Sequence, residues 1–239
     1  QRMVFNVRAK YQDEVFKGIE HFHTLGMKNI ALLTYEKDDP LGLDGLNGFN
    51  KGMAHFKLTP ALVEIFPRNK PNVQETARKL IAANPDALII VSSGVNTVEI
   101  IKAIRAQGSR MQLMTLSNNS SQDFIHDLGK DGVGVVVTQI TPPPTSSVTT
   151  LGKEFQAIAK TANVTVSYAA MEGFMSAKVL VEGLRRAGRA PTRESFIKAM
   201  ESMQRVDIGG VLISYSERDH SGSDFVELTL IGKDGRYVR

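Results

Sequence analysis

The stretch KNIALLTYEKDDPLGLDGLNGFNKGM, residues 28–53, decides how the rest of the chain is read. Residues 30–34 form an apolar, partly β-branched run without polar alternation, the pattern of a strand buried on both faces of a parallel sheet. The run gives way to an acidic, proline-bearing loop at residues 36–40. Beyond it Leu43, Leu46, Phe49 and Met53 recur at three- and four-residue spacing, the period of a helix with one buried stripe. The order is strand, loop, helix. In open α/β sheets ligands sit at the carboxyl ends of the strands, so residues 36–42 are where a binding function is expected.

Working outward, the same unit repeats. A helix over residues 11–25 carries Val15, Ile19 and Phe22 on one face and is stopped by Gly26. Strands are read at 62–66, 87–91, 111–116 and 133–140, and a short strand at 3–7. Between them, Asn72 with Glu75 forms a capping box, and Val98, Ile101 and Ile104 mark a further helix. Loops follow the strands at Ser92-Ser93-Gly94-Val95-Asn96 and at Ser117-Asn118-Asn119-Ser120-Ser121. Strands alternating with helices about every 25 residues predict right-handed βαβ units in a doubly wound α/β sheet. Three prolines at 142–144 then hold the chain extended, as at a crossing between domains. Helices are predicted over 148–162, over a segment with Ala170, Phe174, Ala177, Val181 and Leu184 as its stripe, and after the cap Thr192. Residues 210–215 and 225–231 read as antiparallel strands, the latter followed by a KDG turn.

Composition narrows the classes. At 239 residues and 42% hydrophobic the chain has enough apolar material for a sizeable core. No apolar run approaches the roughly 20 residues of a membrane helix, and residues 1–10 carry no signal-peptide core. Zero cysteines exclude disulfides, thiolate metal sites and cysteine nucleophiles. The net charge of +4 is spread along helices rather than gathered with aromatics on one element, so no nucleic-acid partner is expected. The histidines lack the i, i+4 spacing of a metal pair, and no metal or cofactor is expected.

An acidic loop followed by Leu41-Gly42 at a helix start, together with LGMKNIALL, NPDALIIVSSG, SYAAMEGFMSAKVLVEGLRRAGRAPTRESFIKAM and SGSDFVELTLIGKDGRY, resembles the type I periplasmic solute-binding proteins of ABC transporters, the leucine/isoleucine/valine-binding family. The resemblance runs through almost the whole chain in family order. It implies two doubly wound lobes, with lobe 2 complete over residues 9–141 and 223–239, and lobe 1 represented only by 1–8 and 142–222. It implies a chain cut or processed ahead of residue 1, a periplasmic location, and partners that are a small solute and a membrane permease. Binding and release would follow closure of the lobes over an interlobe cleft. The apolar stripe left uncovered on the partial lobe predicts self-association.

The resemblance also nominates ligand-binding residues: Leu41 and Gly42 at the first loop, Ser93, Gly94 and Asn96 at the second, Ser117 and Asn118 at the third, and Tyr168 from lobe 1. In amino-acid-binding relatives an aromatic precedes the first glycine, a tyrosine occupies the second loop and an acid the third. This chain has leucine, Ser93-Gly94-Val95-Asn96 and Ser117 there. A buried ammonium without a counter-charge is expensive, so a neutral or anionic polar solute is expected instead of a branched-chain amino acid. Each nominee has a plainer reading: Leu41 as core, Ser117 and its neighbours as helix caps, Tyr168 as packing. Two other functions stay open. A ligand-sensing domain of a regulator or receptor shares this fold. A flavodoxin-like enzyme would need chemistry that the chain does not advertise, since no GxGxxG, GxxxxGK[ST] or GxSxG motif is present, leaving only Asp38, Asp39 and Asp44 as a magnesium cluster.

Overall fold

The computed structural model describes residues 3–239, so the first two residues of the segment 1–8 lie outside it. The chain divides into two compact units, one of residues 1–10 and 140–227, the other of residues 11–139 and 228–239.

The second of these holds α1 (Tyr11–Thr24), β1 (Ile30–Tyr35), α2 (Pro40–His55), β2 (Leu62–Phe66), α3 (Val73–Ala82), β3 (Ala87–Val91), α4 (Gly94–Ala106), β4 (Gln112–Thr115), α5 (Gln122–Leu128) and β5 (Val136–Gln139). β1 pairs in parallel with β2, Ala31 opposite Leu62, and with β3, Ile30 opposite Ala87; β3 pairs with β4 and β4 with β5 in the same sense. All six residues of β1 and all five of β3 are buried. Alternate residues go to opposite faces, as the pleat requires. Leu32 and Ile89 pack with Val15, Ile19 and Phe22 of α1 and Phe49 and Met53 of α2. Ala31, Leu33 and Ile90 pack with Leu80 of α3 and Ile100, Ile101 and Ile104 of α4. Both faces of the sheet are thus covered, as the doubly wound reading predicts.

The other unit holds α6 (Thr150–Ala162), α7 (Tyr168–Ala187), α8 (Arg193–Glu201) and the short antiparallel pair β6 (Val206–Asp207) and β7 (Leu212–Ile213). Its core joins Leu151 and Phe155 of α6 to Met171, Met175 and Val179 of α7 and to Met200, Ile213 and Tyr215. At the carboxyl end, β8 (Glu227–Ile231) and β9 (Tyr237–Val238) form an antiparallel hairpin around the KDG turn. They complete a seven-stranded sheet in the order β2-β1-β3-β4-β5-β8-β9.

Three expectations are corrected. Residues 3–7 form no strand; Asn6 makes one isolated bridge with Ser221, because no neighbouring ladder extends it. The stripe that α7 buries is Met171, Met175, Val179 and Gly183, while Val181 is 54% and Leu184 42% exposed. The helix has two apolar stripes, and the methionine one packs on α8, where Gly183 lies against Met200 and Phe196. Of the expected stripe, Ala170 and Phe174 still pack, partly buried, against the core, while Phe174, Ala177 and Val181 line a groove of about 560 Å³. Lastly, residues 210–215 contribute only Leu212–Ile213 as strand, and their partner is β6.

The glycines of α2 set how closely it approaches its neighbours. A Cβ on Gly48 would stand 2.7 Å from the Cα and carbonyl oxygen of Gln12 in α1, whereas one on Gly52 would meet the tip of Ile19 at 2.6 Å. Backbone cannot yield as a side-chain tip does. Gly48→Ala is expected to destabilise the chain by about 1–3 kcal/mol. Gly52→Ala should lose less, because Ile19 can turn and alanine favours the helix by about 0.5–1 kcal/mol. Urea unfolding of the two variants checks the order.

Candidate functional site

The chain leaves β1 for β2 on one side of it and then crosses to β3 on the other, so the strand order reverses between β1 and β3. Such a reversal opens a crevice at the carboxyl ends of the two strands, where connections diverge to opposite faces. Tyr35 ends β1 there, and Ser92 and Ser93 follow β3.

Tyr35 is the hub of this edge. Its hydroxyl oxygen accepts from the Ser93 backbone N–H at 2.9 Å and from Asn96 Nδ2 at 2.8 Å, and lies 2.7 Å from Ser93 Oγ. Asn96 Nδ2 also donates to the Arg68 carbonyl at 3.0 Å. The Arg68 guanidinium stacks over the Tyr35 ring, its centre 4.3 Å from the centroid, and donates from Nε to Asp39 Oδ2 at 2.6 Å. Asp39 is the N-cap of α2, its other oxygen accepting from Leu41 N at 2.9 Å and Gly42 N at 3.2 Å. The bond from Arg68 holds the Asp39 carboxyl below the usual carboxylate range, with the two backbone amides adding to the effect. The same pair raises Arg68, which stays charged.

The third loop joins the second. Residues 117–119 form a single 3₁₀ turn. Asn118 Nδ2 donates to the Ser92 carbonyl at 3.1 Å, and Asn119 Nδ2 to the same carbonyl at 3.0 Å and to Thr115 Oγ1 at 2.7 Å. Ser117 turns the other way. Its N–H and hydroxyl donate to the buried Glu14 carboxylate at 2.9 and 3.1 Å, and Thr138 Oγ1 also donates to Glu14. Helix α1 therefore delivers a carboxylate beside the position where the sequence lacks one, and Ser117 and Thr138 already occupy its oxygens.

Among the nominated residues, Ser93, Gly94, Asn96 and Asn118 come together at the β1/β3 edge. Leu41 is partly buried against the cores on both faces of the sheet. Gly42 is in the first turn of α2, where a Cβ would meet the Tyr35 and Glu36 carbonyls at 2.6 and 2.5 Å; its lack of a side chain lets the helix start against β1. Tyr168 opens α7 in the other unit. Tyr35, Arg68 and Glu14 were not singled out, and Asn119 was read only as part of the third loop. Tyr35 reads as the last residue of a buried strand and Glu14 as a helix-surface acid, and only the fold brings them to the loops. Among the described residues no cluster of acids and histidines fit for a metal occurs: Asp39 is held by Arg68, and Asp44 accepts from Gln12 at 2.7 Å. No helix among them is long and apolar enough to cross a membrane.

The model of the periplasmic binding protein family matches residues 1–235. The chain belongs to this family. A substrate-binding periplasmic protein from Ralstonia solanacearum is 30% identical with a TM-score of 0.85, over 100% of this chain and 68% of that one. An extracellular ligand-binding receptor from Verminephrobacter eiseniae is 22% identical, TM-score 0.85, with the same coverage. A leucine-binding protein from Thermotoga maritima is 16% identical, TM-score 0.85, over 100% of this chain and 67% of that one; these last two likenesses concern the fold. A comparison with curated protein sequences finds no match. Periplasmic binding proteins are solute-binding proteins, not enzymes, and act outside the cytoplasm.

Two tests follow from the hub. Tyr35→Phe removes the acceptor of two donors that stay enclosed, an expected loss of about 1–3 kcal/mol in denaturant unfolding, the cost of an unsatisfied polar group. Because the Asp39 carboxyl is held low when folded, its contribution is present above the unfolded value near 3.9 and lost as pH falls through the folded one. The melting-temperature advantage of the wild type over Asp39→Asn is therefore expected to shrink as the medium is acidified below about pH 4.

Proposed function

We propose that the protein is the receptor of an ABC transporter, taking up a small polar solute at the carboxyl edge of β1 and β3 and delivering it to a membrane permease without chemical change. The observation that carries this reading is the position of the hub: Tyr35, Ser93, Asn96 and Arg68 stand at the one place where the strand order reverses. Family membership supplies the rest, since these proteins bind solutes.

The polar groups at the edge favour a neutral or anionic solute. An α-ammonium would need a carboxylate, and the two buried or half-buried acids at the loops are already engaged, Asp39 by Arg68 and two amides, Glu14 by Ser117 and Thr138, while Glu36 and Asp38 of the first loop stand in solvent. Solute released by denaturing the purified protein, identified by mass spectrometry, tests the receptor reading. Leucine is expected to bind at least about a hundredfold more weakly than that solute in calorimetry, a charge-assisted hydrogen bond being worth about 1.5–3 kcal/mol. Micromolar binding of leucine would show that the edge has an ammonium anchor after all. Turnover of a phosphoester, ester or nicotinamide substrate, lost on changing Asp39, would replace the receptor with an enzyme.

A further inference from the structure

The hydrogen atoms at the β1/β3 edge can be counted. Tyr35 already accepts from Ser93 N and Asn96 Nδ2, so its own O–H is the donor in the 2.7 Å contact with Ser93 Oγ. The Ser93 hydroxyl hydrogen is left with no acceptor among the described residues. Ser93 is also the N-cap of α4 but makes no side-chain cap bond. The first amide satisfied within α4 is that of Thr97, which donates to the Ser93 carbonyl at 2.9 Å; those of Gly94, Val95 and Asn96 have no partner among the described residues. Nearby, Arg68 spends Nε on Asp39 and leaves both terminal nitrogens without a hydrogen-bond partner there.

A buried acceptor lies by the start of α4. Asn119 is 1% exposed, and its Oδ1 is buried with no hydrogen-bond partner. Its amide cannot be turned around, because Nδ2 donates to the Ser92 carbonyl, which can only accept. Oδ1 is aimed at the start of α4, 3.8 Å from where a Cβ on Gly94 would stand, and apart from the residues flanking Gly94 and the helix's own backbone no other atom lies within 4 Å of that point. A ligand that completes the edge needs an oxyanion for the hydroxyl, the helix amides and the guanidinium, with one donor beside it for Asn119. An ammonium would be that donor only against the Arg68 charge, with the neighbouring Asp39 carboxylate already engaged by Arg68. A hydroxyl carries no such penalty.

We propose, building on the receptor reading, that the solute is a hydroxy acid: its carboxylate meets Ser93, the first turn of α4 and Arg68, and its neighbouring hydroxyl donates to Asn119. Serine, amides and guanidinium read the charge, and the asparagine reads the hydroxyl.

Calorimetry on the chain with three carbon skeletons tests this: lactate, 2-hydroxy-4-methylpentanoate and mandelate, each beside its 2-amino acid, its 2-deoxy acid and the amide of the hydroxy acid. In the best-binding skeleton the hydroxy acid is expected to exceed the deoxy acid by about 10-fold and the amino acid and amide by about 30-fold, the range of a buried neutral and a charged hydrogen bond. Arg68→Gln, at a side chain 43% exposed, should weaken the hydroxy acid by about 10-fold or more while leaving the amide unchanged. Ser93→Ala should weaken both acids alike. An amide or amino acid that binds best, or a hydroxy acid indifferent to Arg68→Gln, overturns the hydroxy-acid assignment, and a solute still recovered from the purified protein would then leave the receptor reading standing. Failure of every probe with a different solute recovered overturns the assignment alone. Failure of every probe with no solute recovered overturns both.

Discussion

The parallel pair β1 and β3 imposes the constraint from which the rest follows: two adjacent strands in which every residue is buried. Such strands must be covered by helices on both faces, because every apolar side chain they carry points into one layer or the other. Coverage on both faces requires the connections to leave in opposite directions. The split in the chain's path at the carboxyl ends of β1 and β3 is the direct result, and it exposes the ends of two strands otherwise sealed from solvent. Core and site are therefore the same fact seen from two ends of a strand. Tyr35 shows this most clearly, with its ring packed on Phe66 at 5.1 Å between centroids and its hydroxyl at the edge.

The fold was largely legible in the sequence because its signals are local. Residues 30–34 and 87–91 are continuous apolar runs, and continuous burial is what the structure shows. Gly26 has the positive φ of 80° expected of a helix stop, Asn72 accepts from Glu75 N at 3.2 Å, and Thr192 and Ser195 close a capping box. α7 was misread because periodicity identifies an apolar face without saying which of two faces wins. Methionines at 171 and 175 pack as well as phenylalanine and alanine at 174 and 177, and the choice was made by the small Gly183 admitting Met200 and Phe196.

The site was legible only in its loops. Ser93, Gly94, Asn96 and Asn118 belong to segments that end strands, so topology alone nominates them. Tyr35 and Arg68 reach the second loop from 58 and 25 positions before Ser93, and Glu14 reaches the third from 103 positions before Ser117. No spacing rule connects residues at such separations. Glu14 in particular looks like a solvated acid in the first turn of a helix, where acids are common. It is instead fully buried, and that is tolerable only because backbone and hydroxyl donors from two strand ends converge on it. A resemblance that looked for an acid in the third loop found serine, and the serine is the residue that receives the acid from elsewhere.

The arrangement around Tyr35 also fixes what the edge can exchange with its surroundings. Its phenol is a single oxygen with three partners, so it has no capacity left for a ligand, and any recognition passes through Ser93. Ser93 in turn makes no cap bond to α4, its hydroxyl being turned to Tyr35. The tyrosine thereby withholds the cap that a serine at this position ordinarily supplies, at a cost of about 1 kcal/mol in a helix that lacks it. What the helix gives up, its first turn of amides keeps on offer, held in place by β3 behind them and by the Asn96 bond to Arg68 beside them. Donors already ordered need no further ordering when an acceptor arrives, and the entropy that flexible groups would lose on binding is settled when the chain folds.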